Sequence, residues 1–138
     1  MPYPEMLVTP MRAELSKNGF EELKNEADVD TAFNQNQGTM LLVVNSVCGC
    51  AAGSCRPGVI QSLDGDHKPN KLVTVFAGQD IEAVAKAREN MMPYPPSSPA
   101  IALFKDGQLV HMIERHNIEG RTAQMIADNL RSAYMEFC

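Results

Sequence analysis

The chain has 138 residues, the length of one domain, and 44% of them are hydrophobic against 21% charged. That balance supports a packed core and argues against disorder and low-complexity architecture. Twelve basic and seventeen acidic side chains give a formal charge of −5, so the electrostatic footprint of nucleic-acid binding is missing.

A membrane role is not expected. The longest uninterrupted apolar runs, Met40–Val44 and Ala100–Phe104, are far short of the roughly 20 residues that span a bilayer. The N-terminal MPYPEMLVTPM carries three prolines and no basic stretch, unlike a secretory signal, so a cytoplasmic location is expected.

In chain order, Thr9-Pro10 reads as a cap followed by Pro at the first helical position, with a stop at Asn18-Gly19. Phe20–Leu23 suits an edge strand. Asp28 is placed to cap a short helix through Asn34, and Asn36-Gln37-Gly38 is turn-rich. Thr39–Ser46 is a continuous apolar run rich in β-branched residues, the pattern of a strand covered on both faces. Residues 50–63 predict a helix kinked near Pro57. Leu72–Ala77 is a second buried strand. Asp80 then caps a helix with Ile81, Val84, Ala85 and Met91/Met92 on its apolar side. Met91–Pro99 holds four prolines and excludes regular structure. Ala100–Phe104 and Gln108–Ile113 flank Lys105-Asp106-Gly107, a tight hairpin. Asn117 caps a last helix with the stripe Ile126, Leu130, Tyr134 and Phe137.

No repeat or linker interrupts the chain, so residues 1–138 are expected to form a single domain. The order β-α-β-α followed by β-β-α is the connectivity of a thioredoxin-like α/β sandwich, a mixed sheet between layers of helices. An α/β sandwich of another topology stays open.

The chemistry concentrates in the cysteines. Cys48, Cys50 and Cys55 lie within eight residues, and Cys138 ends the chain. Clustering of this kind suggests catalysis or metal binding rather than structural bridges. Cys48 follows the strand and precedes the helix, where unpaired N–H groups and the helix dipole favour thiolate. It has the position of a nucleophile; the alternative is a small buried residue at a strand end. Cys50 is the natural resolving thiol. Two extended chain steps span about 7 Å, so a Cys48–Cys50 bond requires the loop to bend, which Gly49 permits. The chain-entropy gain from so small a ring is only about 1.6 kcal/mol, so the bond should be easily reduced. Cys55 is either a second resolver or a buried helix-face residue. Cys138 is either a frayed end or a distal thiol.

A thiolate cage from Cys48, Cys50 and Cys55 with Cys138, His67, His111 or His116 is the competing reading. Zinc pairs sit two to four residues apart, however, and a second pair is missing; Cu(I) tolerates Cys-x-Cys better. No resident metal or organic cofactor is expected.

The stretch Val44-Asn45-Ser46-Val47-Cys48-Gly49-Cys50-Ala51-Ala52-Gly53 resembles the active-site signature of the bacilliredoxin family of bacterial thioredoxin-like proteins. The likeness extends to Pro10–Leu15 and Arg115–Arg121 and so covers nearly the whole chain. It implies that Cys48 is the thiol attacking mixed disulfides with the small thiol bacillithiol, and that Cys50 is the second motif cysteine. Disulfide-isomerase activity is also implied for some members. Cys55 departs from the family pattern, which bears on which thiol resolves. The strand before the motif lacks the buried acid common in thioredoxins, so water or a solvent thiol must relay protons. By fold analogy Ser98-Pro99 is expected to be a cis peptide facing the cysteines across a substrate groove.

Three further residues have expected roles. Asn45 and Ser46 shape the loop through side-chain to backbone bonds. Arg56 is expected to be a solvated arginine, with thiolate stabilisation or binding of an acidic thiol ligand as its alternatives. His116 is expected to serve as a cap or surface residue rather than a base.

The expected function is thiol–disulfide exchange on capped or wrongly bridged proteins, with electrons from a low-molecular-weight thiol such as bacillithiol or a partner reductase. The alternatives are a metal-handling or redox-sensing binding module and a non-catalytic interaction domain.

Overall fold

The computed structural model describes residues 2–35 and 37–138, so the expected turn at Asn36-Gln37-Gly38 lies partly outside the described residues. Its elements are α1 (Glu5–Ser16), β1 (Glu21–Glu22), α2 (Glu26–Asn34), β2 (Thr39–Asn45), a π-helical turn (Ala51–Cys55) running into α3 (Arg56–Ser62), β3 (Lys71–Phe76), α4 (Ile81–Arg88), β4 (Ala100–Lys105), β5 (Gln108–Ile113), α5 (Arg115–Ile118) and α6 (Ala123–Phe137).

The five strands lie in the order β1-β3-β2-β4-β5. β1 and β2 run parallel to β3, and β4 runs antiparallel to β2 and β5. All seven residues of β2 are buried, Met40–Val44 as their apolar run requires and the polar ends Thr39 and Asn45 with side-chain hydrogen bonds to Asn70 and the Met11 carbonyl. Alternation splits that strand between two cores. Leu41 and Val43 pack with α3, α6 and Leu15 of α1; Met40, Leu42 and Val44 pack with α2 and α4. Helices therefore cover both faces of a mixed sheet. At the hairpin, Asp106 and Gly107 both take positive φ, 49° and 83°, the conformation a two-residue turn of this twist needs.

Several boundaries differ from the sequence reading. α1 begins at Glu5, with Pro10 inside it. Thr9 is not its cap; its hydroxyl donates back to the Glu5 carbonyl at 2.7 Å. The helix keeps Pro10 because its neighbours anchor it: Val8 and Leu15 are buried, and Arg12 pairs with Glu5, Glu22 and Asp80. The edge strand is only two residues long. The cap of α2 is Asn25, whose side chain accepts from the Asp28 N–H at 2.8 Å. Asp28 instead accepts from the Lys24 N–H at 3.0 Å. Asp80 occupies the cap position of α4, but its carboxylate goes to Arg12 at 2.7 Å. The buried side of α4 is Ala83, Val84 and Ala87, leaving Ile81 and Ala85 exposed.

The irregularity in the helix after β2 precedes Pro57. The Arg56 N–H donates to the Ala51 carbonyl, a π-type bond, and regular α-helix follows. The missing N–H of Pro57 thus falls where the ladder is already changing register. The final helical region is two helices. Asn117 and Glu114 cap α5 reciprocally, whereas α6 starts after Thr122, which accepts from the Met125 N–H at 3.1 Å. Gly120, at φ 76°, turns the chain between them.

α3 and α6 cross closely at Gly58. A Cβ there would sit 2.6 Å from Ile126 Cβ and 2.9 Å from the Ala123 carbonyl. Gly58→Ala is therefore expected to destabilise by about 1–3 kcal/mol despite the better helix propensity of Ala. Urea unfolding checks this; an unchanged midpoint would show that the two helices separate freely.

Candidate active site

The site is built at the carboxyl end of β2, the central strand, where the chain leaves the sheet and enters the π-helical turn. Asn45 ends the strand and organises the exit. Its Oδ1 accepts from the Ser46 N–H at 2.8 Å and from Arg56 Nη1 at 2.9 Å, and its Nδ2 donates to the Met11 carbonyl at 3.1 Å. Ser46 Oγ then accepts from the Cys48 N–H at 3.0 Å. The Cys48 carbonyl accepts from the Ala51 and Ala52 N–H groups at 2.9 and 3.3 Å, which starts the helical segment.

Arg56 is not solvated. It is 1% exposed and lies beneath this loop. Its Nε donates to Glu14 at 3.0 Å, and Nη1 donates to Asn45 and to the Ser46 carbonyl, each at 2.9 Å. Its role is to hold the loop, not to touch a thiol. Gly49 has no steric duty: it is outside the left-handed region and nothing lies within 4 Å of where its Cβ would be.

Cys48 and Cys50 are free thiols with their sulfurs 2.7 Å apart. The Cys50 thiol serves Cys48 as a hydrogen-bond donor, and this holds the Cys48 pKa below its ordinary value against the opposing effect of burial. The Cys50 N–H, 3.4 Å away, the Arg115 guanidinium and the Ala51 N–H favour the Cys48 thiolate further. Burial, and the loss of that proton's freedom to Cys48, push Cys50 up to about 11. Cys55 is fully buried in the core of α3 and α6, and burial pushes it up to about 12. Cys138 is exposed at the end of α6.

The thiolate is the nucleophile that becomes alkylated, so a lowered pKa gives Cys48 a larger reactive fraction at neutral pH. Iodoacetamide at pH 7 is expected to modify Cys48 before Cys50, and to reach Cys55 only after unfolding. Peptide mapping against time checks the order; early labelling of Cys55 would contradict its burial.

Ser98–Pro99 is a cis peptide directly before β4, whose first residue Ala100 pairs with Val44. Met92–Pro93 is cis as well. Arg115 joins this loop to the thiols: Nη2 lies 3.2 Å from Cys48 Sγ, and Nη1 donates to the Ser98 carbonyl at 3.0 Å. Arg115 had no role assigned in the sequence reading. The available signal was a cation at the start of the stretch 115–121 that resembles the family. His116 is exposed and 3.7 Å from Glu114. Among the described residues, no three His, Cys, Asp or Glu side chains converge to hold a metal ion. Among them also, no helix is long and apolar enough to cross a membrane.

Solved structures with this architecture include thioredoxin from Fasciola hepatica, with a TM-score of 0.57 and 17% identity over 86% of this chain and all of that one. Mitochondrial thioredoxin 3 from Saccharomyces cerevisiae gives 0.59 and 17%, over 90% and 98%. The fold is therefore thioredoxin-like. Residues 3–138 match the family model described as "Disulphide isomerase". The chain is 60% identical to a bacilliredoxin from Cytophaga hutchinsonii over 97% of this chain and 98% of that protein. It is 54% identical to a bacilliredoxin from Salinibacter ruber over 100% and 82%. The chain belongs to the bacilliredoxin family, whose thioredoxin-like chemistry is thiol–disulfide exchange.

Proposed function

We propose that the protein is a thiol–disulfide oxidoreductase that removes low-molecular-weight thiol caps from proteins, bacillithiol being the cap that the names of its relatives suggest. The carrying observation is the asymmetric sulfur pair, in which one thiol favours thiolate and its neighbour holds its proton. Cys48 thiolate attacks the cap sulfur; the new Cys48–cap disulfide forms as the cap–protein bond breaks, and the protein leaves as thiolate. Cys50 then attacks Cys48, releases the cap thiol and closes a Cys48–Cys50 disulfide. A small thiol or partner reductase, in a reducing compartment such as the cytoplasm, restores the dithiol. The same first step on a wrong protein disulfide gives isomerisation. Cys55 is disfavoured as resolver, because it is buried in the core while Cys50 touches Cys48. Ser98 and Pro99 border the groove, since Arg115 bridges the Ser98 carbonyl and Cys48. The metal-handling alternative lacks a third ligand among the described residues.

The test uses proteins capped with bacillithiol and with glutathione, followed by intact mass. Wild type should remove the cap and Cys48→Ser should not. Equal cap removal by both would overturn the proposal.

A further inference from the structure

Arg115 is held rather than loose. Its Nε donates to Glu119 on the following turn, its backbone N–H donates to Ser97 Oγ at 3.3 Å, and Nη1 donates to the Ser98 carbonyl at 3.0 Å. Nη2 reaches Cys48 Sγ at 3.2 Å. A guanidinium has five N–H bonds. Three are occupied here, which leaves one N–H on each terminal nitrogen. The side chain is 44% exposed, so solvent or an incoming molecule reaches it. Arg56 contrasts with it: that guanidinium is buried and committed to Glu14, Asn45 and Ser46.

A disulfide that reacts at Cys48 must bring its substituents beside this fixed cation. Two open N–H bonds on a planar group match the two oxygens of a carboxylate. We infer that Arg115 is an anion subsite of the sulfur centre, which receives a carboxylate carried by the small-thiol half of the incoming disulfide and orients that half for attack. The inference rests on the proposed function and deepens it: the substrate class is low-molecular-weight thiols that carry a carboxylate able to fold back beside the reacting sulfur. The chemical step is unchanged. The Cys48–sulfur bond forms, the existing S–S bond breaks, and the leaving thiolate takes its proton from water. The Glu119 carboxylate offsets part of the Arg115 charge, which keeps the preference moderate.

The test reads exchange rates of Cys48 directly, on the full-length chain carrying Cys138→Ser to silence the exposed terminal thiol. Three disulfide probes are used: dianionic dithiobis(nitrobenzoate), neutral hydroxyethyl disulfide and dicationic cystamine. Each is compared between Arg115 and Arg115→Gln, so differences in leaving group cancel. The dianion should slow about tenfold, the neutral probe no more than about threefold through the lost support of the Cys48 thiolate, and cystamine least of the three. Arg115→Lys should recover part of the dianion rate, and Glu119→Gln should raise it. A uniform slowing of all three probes would mean that Arg115 acts only on thiolate formation or on loop order, and would overturn the subsite. So would three unchanged rates. Failure of the proposed function is separable: wild type would then leave caps in place while this charge selectivity persisted.

Discussion

Cys50→Ser, mixed with a capped protein, is expected to accumulate an adduct on Cys48 equal in mass to the cap. The first exchange needs only Cys48, whose thiolate is still favoured by the Cys50 N–H, Arg115 and the Ala51 N–H. The second exchange has lost its attacking sulfur. With no neighbouring thiol, the adduct should persist for minutes to hours, the timescale of uncatalysed disulfide rearrangement. Cys48→Ser should form no adduct, and turnover should fall to the uncatalysed background. The order of events follows from the pair. In the resting protein Cys50, at about 11, is raised by burial and by the thiolate beside it. Once Cys48 is bonded to the cap its negative charge is gone, while Arg115 stays and favours ionisation of Cys50. The second thiol is thereby activated by completion of the first step. Adduct formation at Cys55 instead, or no adduct at all in Cys50→Ser, would remove this assignment.

The second large effect is on stability. Arg56→Ala removes a buried cation and leaves the Asn45 Oδ1 and Ser46 carbonyl without their shared donor. Breaking such a buried network costs about 3–5 kcal/mol, and the partial exposure of Glu14 places this case near 3. For a chain of this size that is a fall in Tm of roughly 10 °C. Arg56→Lys should recover little, because an ammonium cannot make the forked contacts of a guanidinium. Thermal denaturation followed by circular dichroism checks both. A fall of less than about 3 °C for Arg56→Ala would show that the network is dispensable.

The parts of the fold that were legible in sequence are those set by local pattern. The apolar run of β2, the Asp106-Gly107 turn and the stripe of α6 each declare their structure within a few residues. The cysteine pair was legible for the same reason, and so was the cis peptide at Ser98–Pro99 once the fold was expected. What escaped depended on distant partners. Arg56 reads as a surface residue until Glu14, 42 positions upstream, is folded against it. Asp80 reads as a cap until Arg12, 68 positions away, takes its carboxylate. Arg115 lies 67 positions from Cys48, and no spacing rule connects them. Thr9-Pro10 misled because tertiary anchoring of α1 outweighed the preference of Pro for a helix start. Asn117 and Thr122 are both good caps, and only the turn at Gly120 shows that they belong to two helices.

The bonds from Asn45 to the Met11 carbonyl, and from Arg56 to Glu14, have a consequence for transplanting the motif. The reactive loop is only a few letters long, and those letters are easily copied into another scaffold. Its shape, however, is borrowed from the first helix and from an arginine at the start of the third. A graft of Cys-Gly-Cys that left those partners behind would carry the thiols without the hydrogen bonds that orient them. The portable unit is therefore a spatial cluster spread over three elements, and no segment as short as the motif contains it.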